Sequence, residues 1–345
     1  MKEIQYKSFS LKTHKKNWQT NKANTCQFEL TFKCGLHCRY CCTDCYNKFD
    51  YVNSELTTKE VKLAIDKIRK AGVIWLCLTG GDPLARVDFL DIYSYAKEKG
   101  FIISVFTNGY SMTKKIAQYL KRKPPFAIEI TLNAVTEKLY EKISQVKGSF
   151  KKTMDGIELI LKEGLPLKIK TQITKDNLQE FSDIKSFIET LGLKFWPAFD
   201  LNPRLNGDLA PCALRIAPQD VLYLTGKKRI SDDCFRQVKS GLFRCSINSG
   251  DGFYIGPDGN MFLCNLLRKP NFNLLKVDVE YALNELLSSI RNEKFTTNPK
   301  CNNCNLGEFC VNCPGVSYLE TGDKEAAIGY YCELARMSAY GPKTI

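Results

Sequence analysis

The chain has 345 residues, 44% hydrophobic and 25% charged, the balance of a globular protein with room for one large domain and a smaller one. It has no apolar run long enough to span a membrane, and no apolar core follows the basic N-terminus, which excludes a membrane-spanning segment and a secretory signal and leaves the cytoplasm as its address. The formal net charge of +13 raises nucleic acid as a partner. The basic residues, however, are spread along the chain on the polar faces of predicted helices, and bound thiolate clusters would remove roughly five charge units, so nucleic-acid binding is not expected.

Residues 1–24 are polar and lysine-rich and read as a tail or short packed extension. Residues 27–32 predict a strand that runs directly into a cysteine loop. Thr57 and Thr58 predict the cap of a helix ending near Gly72, and residues 73–79 form a short apolar strand of the kind buried on both faces of a parallel sheet. The alternation repeats, with helix 87–99, strand 101–107, helix 112–122, strand 127–132, helix 149–163, strand 167–174, helix 178–191 and strand 193–199. Six such units predict an α/β fold, a partial (β/α)6 TIM-like barrel over 25–203, short of the eight strands that closure requires. Chemistry in such sheets collects at the C-terminal ends of the strands. Residues 204–244 read as an irregular bridging region. Residues 245–345 form a cysteine-rich domain with a β-hairpin turning at Asp258-Gly259.

The sixteen cysteines carry most of the chemical information. A reducing cytoplasm does not favour a disulfide framework, and with only His14 and His37 available the ligation must be almost wholly by thiolate. Cys34, Cys38 and Cys41 are spaced to wrap three corners of a [4Fe–4S] cube and leave the fourth iron open. A structural zinc that also uses Cys42 or Cys45 is the alternative on spacing alone. The second set comprises Cys245, Cys264, Cys301, Cys304, Cys310, Cys313 and Cys332. Its two CxxC pairs fit one zinc, but seven ordered cysteines exceed what one zinc uses. Cys42 and Cys45 read as reactive thiols or small buried hydrophobes, and Cys26 and Cys77, in predicted strands, as core packing.

The Cys34–Cys41 loop after a first strand resembles that of the radical S-adenosylmethionine (SAM) superfamily. The resemblance extends along the barrel. By analogy Tyr40 contacts the adenine, and the Gly80-Gly81-Asp82 segment, with Asp where Glu is commoner, holds the methionine amino group. Asn108, in the Thr-Asn-Gly turn, lies near the nucleoside, and Thr131 takes the usual Ser position. Ser144 stands where an Arg often precedes the Gly-Ser-Phe of 148–150, so the carboxylate contact departs from the pattern. The C-terminal cysteines resemble the SPASM domain of peptide-modifying relatives. This implies a distal auxiliary [4Fe–4S] cluster on Cys301, Cys304, Cys310 and Cys332 and a proximal one on Cys245, Cys264 and Cys313. Cys234, with Cys212 behind it, is the candidate fourth ligand of the proximal cluster, and an open iron is the alternative.

The resemblance implies an enzyme that generates a 5′-deoxyadenosyl radical from S-adenosylmethionine to modify a ribosomally made peptide. The outcomes are a thioether or carbon–carbon cross-link, or epimerisation with Cys42, Cys45 or Cys212 as hydrogen donor. Oxidation of a Ser or Cys in a partner enzyme, or of a small-molecule or tetrapyrrole precursor, is the alternative within the same chemistry. A non-catalytic zinc or iron–sulfur protein acting on nucleic acid is the alternative of another class. Expected partners are a precursor peptide and a flavodoxin- or ferredoxin-type reductant; because only about 24 residues precede the first strand, any leader recognition is expected from a separate small protein or the barrel surface.

Overall fold

A computed structural model of the chain describes residues 5–20, 22–226, 241–297 and 300–341. The predicted strands β1 (Thr25–Glu29), β2 (Trp75–Thr79), β3 (Ile102–Thr107), β4 (Ala127–Thr131), β5 (Leu167–Gln172) and β6 (Phe195–Ala198) pair in parallel in chain order. Between them run α2 (Phe49–Val52), α3 (Thr58–Lys70), α4 (Phe89–Glu98), α5 (Lys114–Arg122), α6 (Glu137–Ser144), α7 (Ser149–Lys162) and α8 (Phe181–Thr190). The predicted cap forms as a full capping box. Thr57 accepts from the Glu60 amide, and the Glu60 carboxylate accepts from the Thr57 amide.

Side chains alternate across each strand. Phe28, Leu78, Ile103, Val105, Ile128, Ile130 and Ile169 are buried in one core with the apolar stripes of the helices, such as Ile65 and Ile68 of α3 and Ile92 and Tyr93 of α4. The opposite, concave face carries Gln27, Cys77, Ser104, Phe106, Glu129, Thr131, Lys168 and Lys170, none of them buried. Barrel interiors are ordinarily filled by branched apolar side chains. A polar concave face therefore marks a volume kept for something other than a packed core.

Two features of the architecture go beyond the expected six-stranded sheet. The C-terminal hairpin, β7 (Gly252–Ile255) and β8 (Asn260–Phe262) with β9 (Phe272–Asn273), joins the barrel through a parallel β1–β7 ladder. The result is one nine-stranded sheet ordered β6-β5-β4-β3-β2-β1-β7-β8-β9. An unpaired β1 edge would be a site for wrong association, and the hairpin covers it. The lysine-rich extension is a helix, α1 (Tyr6–Thr20), at the N-terminal end of the strands. Trp75 Nε1 donates to the Tyr6 hydroxyl at 3.0 Å, the His14 ring stacks on Trp75, and His14 Nδ1 lies 2.7 Å from Asp251. After β6 come α9 (Pro218–Thr225), α10 (Val279–Asn292), α11 (Pro314–Thr321) and α12 (Gly329–Tyr340). Among the described residues no helix is long and apolar enough to cross a membrane.

Candidate active site

The loops that leave β1, β2 and β3 meet at the C-terminal ends of the strands. The β2 loop crosses the β1 loop at hydrogen-bond distance, Gly81 N donating to Thr31 O at 2.7 Å and Asp82 N to Lys33 O at 2.9 Å. Gly80 has φ +147°, and a Cβ on Gly81 would lie 2.4 Å from Lys33 O and 2.6 Å from Phe32 O, so only glycine fits there. Asp82 is fully buried. Its carboxylate accepts from Leu84 N, the Thr107 hydroxyl and Asn108 N at 2.9–3.1 Å, which ties the β2 loop to the end of β3. Burial is the largest influence on this carboxyl and pushes it up to about 6. Asp82 and Gly80 thus build the floor of the site without lining its cavity, whereas Gly81 and Asn108 line it.

The cysteine loop is held from three sides. Asn47 accepts from Cys34 N and donates to Cys34 O and Leu36 O. His37 N and Arg39 N donate to the carbonyls of Ser144 and Ile143 at the end of α6. From the bridging region, Arg204 Nη1 donates to Cys41 O, and Leu205 N donates to Cys42 O. Cys34, Cys38 and Cys41 consequently line one cavity of about 230 Å³. Leu36 N and Asn108 Nδ2 donate to the Cys34 sulfur at 3.4 and 3.3 Å. Burial, and after it the Asp82 charge, pushes the Cys34 thiol up to about 12, and burial, with the neighbouring Cys41 and Cys34, also raises Cys38. Thiols held this close and largely out of solvent are stabilised as thiolates when a bound metal compensates their charge. Among the described residues no three or more His, Cys, Asp or Glu side chains converge as a single metal ion requires. Three thiols set around a cavity wall, with N–H donors aimed at one of them, fit an iron–sulfur cube, whose corners stand further apart.

Tyr40, Thr131 and Ser144 line the same cavity. Tyr40 is half-buried, and its hydroxyl faces Asn133. Ser144 is hydrogen-bonded to Ser149 at 2.7 Å, so the position where relatives often have Arg holds a neutral buried hydroxyl pair. Asn47, Asn133, Tyr140, Phe106, Glu129 and Lys170 also line the cavity, and motif reading did not single them out. For the strand residues the signal was present, because polar side chains at alternate positions of β4 and β5 mark a face that is not core.

The candidate hydrogen donors lie elsewhere, as none of Cys42, Cys45 and Cys212 lines the cavity. Cys42, raised to about 12 by burial and by Cys41, also faces Arg268 and Glu29. Cys45 is buried against the backbone of 205–206, and Cys212 has Arg215, Glu320 and Asp208 as charged neighbours. Cys77 corrects its expectation. It is not core but stands half-buried on the concave face, beside Glu129 and Lys170, while Cys26 is buried as expected.

In the C-terminal region six of the seven cysteines, all but Cys264, line a second cavity of about 160 Å³. They fall into two neighbourhoods. Burial pushes Cys310 up to about 11, with Cys332, Cys301 and Cys304 as the thiols beside it. Burial pushes Cys313 up to about 12, and its thiol neighbours are Cys264 and Cys245. Cys212 is not among them, and Cys234 lies outside the described residues. The loop after β8 returns to the barrel mouth, where Arg268 forms a bidentate pair with Glu29 at 2.7 and 2.8 Å.

Residues 28–190 match the sequence model of the radical SAM superfamily. Among characterised relatives, an AdoMet-dependent heme synthase of Methanosarcina barkeri is 25% identical over 336 residues, 88% of this chain and 95% of that protein. A second AdoMet-dependent heme synthase, from Oleidesulfovibrio alaskensis, is 31% identical over 51% of this chain and 45% of its own length. A PqqA peptide cyclase of Bradyrhizobium diazoefficiens is 25% identical over 45% and 40%. In fold the chain is similar to Streptococcus suis SuiB bound to precursor peptide SuiA (TM-score 0.69, 15% identity, 94% of this chain and 80% of that one). It is also similar to anSMEcpe with bound AdoMet (TM-score 0.64, 15% identity, 92% and 96%). Residues 28–190, just under half of the chain, thus carry the strand-end motifs of the radical SAM superfamily in order, on a fold similar to that of relatives with bound AdoMet.

Proposed function

We propose that this enzyme modifies a peptide oxidatively, forming a thioether or carbon–carbon cross-link. Cys34, Cys38 and Cys41 would hold the reactive cluster, with Tyr40, Gly81, Asn108, Thr131 and Ser144 around the cosubstrate. Bound there, S-adenosylmethionine and the cluster supply a carbon radical that takes hydrogen from an unactivated carbon. The chain's own part is to steady Cys34 through Asn108 and Leu36, to orient the cosubstrate and to enclose the reaction. The carrying observation is the gathering of the seven C-terminal thiols into a group of four and a group of three, attached to the barrel through β1–β7. Two auxiliary clusters on these groups would take up the electron that an oxidised substrate must lose. The absence of Cys42, Cys45 and Cys212 from the cavity lining favours cross-linking over thiol-dependent epimerisation. Relatives that support a peptide substrate are the PqqA peptide cyclase and SuiB with its precursor peptide.

A tetrapyrrole precursor is the second reading, favoured by the similarity to a heme synthase along 88% of the chain. Anaerobic reconstitution tests the first layer. About twelve irons per chain are expected, and about eight in the Cys34→Ala/Cys38→Ala/Cys41→Ala variant, which should also cease to cleave S-adenosylmethionine. Zinc without iron would overturn the enzyme reading. Mass spectrometry of peptides and of tetrapyrrole carboxylic acids incubated with the reduced enzyme separates the two substrates. A peptide that loses two hydrogens supports the proposal, deuterium uptake without a change of formula points to epimerisation, and turnover of the tetrapyrrole alone replaces it.

A further inference from the structure

Strand β5 reads Leu-Lys-Ile-Lys-Thr-Gln, and its pattern is strict. Leu167, Ile169 and Thr171 are buried, while Lys168 and Lys170 face the other way, into the concave side of the barrel. In register beside them on β4 stands Glu129, whose Cα partner is Lys168. Both lysines address this one carboxylate. Lys170 Nζ is ion-paired with Oε2, and Lys168 Nζ lies 3.5 Å from Oε1. Glu129 is nearly enclosed, at 12% side-chain exposure, but each lysine keeps 47% of its side chain exposed, and of the two only Lys170 lines the cavity. Lys170 also lies over the Phe106 ring at 4.3 Å, and Lys170, Glu129 and Phe106 line the same cavity as Cys34, Cys38 and Cys41.

Two cations on one carboxylate leave a positive charge without its own counter-ion inside a reaction chamber. The other charged pair at this mouth, Glu29 with Arg268, is bidentate and one to one, and so is complete. Asp44, the remaining carboxylate of the cavity wall, has Arg204 and His37 as partners. An arriving anion can therefore take Lys170 while Lys168 keeps Glu129 neutralised, so no buried charge is stranded during the exchange. We infer that Lys170, backed by the Glu129–Lys168 pair, is the substrate-carboxylate anchor of this enzyme. This rests on the reading that the cavity holds an organic substrate next to the cosubstrate. The shared chemistry is a carboxylate, carried by an acidic residue of a peptide or by a side chain of a tetrapyrrole.

Acylation footprinting of the full-length reconstituted enzyme tests this without knowledge of the true substrate. An amine-reactive acetyl ester labels the lysines, and peptide mass spectrometry follows Lys170, with exposed Lys151 as reference. Glutarate should slow Lys170 acylation about threefold at saturation, and glutaramide should not. Lys168→Met should abolish that protection, because Lys170 is then held by Glu129. Equal effects of glutarate and glutaramide, protection that survives Lys168→Met, or full protection by S-adenosylmethionine alone would each overturn the assignment. Peptides containing Glu, compared with Gln, and coproporphyrin, compared with its methyl ester, form the remaining arms. Protection by the Glu peptides supports anchor and peptide reading together. Protection by coproporphyrin alone keeps the anchor and removes the peptide.

Discussion

Gly81 and Asp82 show how little of a motif's work need be done by direct contact with a ligand. Gly81 is required because two loop backbones cross where a Cβ would stand, 2.4 Å from a carbonyl oxygen. Gly81→Ala should push the β1 and β2 loops apart and disorder the mouth of the first cysteine cluster. The expected result is a loss of about four irons per chain on reconstitution, with the C-terminal iron retained, measured by iron analysis against protein. Asp82 is spent on internal donors. Asp82→Ala leaves Leu84 N, Asn108 N and the Thr107 hydroxyl without their buried acceptor, and should cost about 3 kcal/mol in urea unfolding. Motif reading placed the segment at the site, and the structure adds that the Asp82 carboxylate accepts from Leu84 N, Asn108 N and the Thr107 hydroxyl. Sequence spacing does not reveal which groups a carboxylate faces.

At the scale of elements, two charged junctions hold strand ends in place. Arg86, in the turn before α4, is paired bidentately with Asp88 and donates to the carbonyls of Leu30 and Leu56. The Arg86 guanidinium, with Thr58 helping, pulls the Asp88 carboxyl from 3.8 down to about 2. A carboxyl depressed in the folded state adds stability that is full above 3.8 and is lost as pH falls through about 2. Asp88→Asn should therefore lower stability at neutral pH and flatten its fall between about pH 4 and pH 2. The wild-type minus variant difference in urea unfolding across that range checks this, because every other acid effect is common to both. The second junction is Glu29 with Arg268. Arg268→Met strands a carboxylate that is 7% exposed and should cost about 3–5 kcal/mol, while adding Glu29→Gln should recover most of it.

At the scale of the molecule, the barrel and the cysteine-rich region share one sheet. Phe253 of β7 belongs to the same buried cluster as Phe28 of β1 and Leu287 of α10. Phe253→Ala should cost about 3–5 kcal/mol. Because the core is continuous, barrel and hairpin should lose structure in a single urea transition, so the fluorescence of the three tryptophans, all before residue 200, should coincide with the far-UV circular dichroism of the whole chain. Two separated transitions would show that the β1–β7 ladder does not couple the halves. That ladder also ties the hairpin that carries Cys264 to the first barrel strand.

The local periodicities and cysteine spacings were legible without a structure. Apolar strands of five or six residues alternating with amphipathic helices admit little besides a parallel α/β sheet, and C-x3-C-x2-C after the first strand admits few chemistries. The grouping of the C-terminal thiols around Cys310 and Cys313 agrees with what the family resemblance implied, but Cys245, Cys264 and Cys313 span 68 residues, so only the fold brings them together. What required tertiary structure was every feature made by segments distant in the chain. The pairing of β7 with β1 joins residues more than 200 positions apart, and no local propensity encodes it. The concave face of the barrel is the other case. Cys77 reads in sequence as a core thiol, and alternation marks Lys168, Lys170 and Glu129 only as lying off the core face. Only the curvature of the sheet turns four strand residues, each pointing away from its own helix, toward a shared interior, where low dielectric and proximity make them a site.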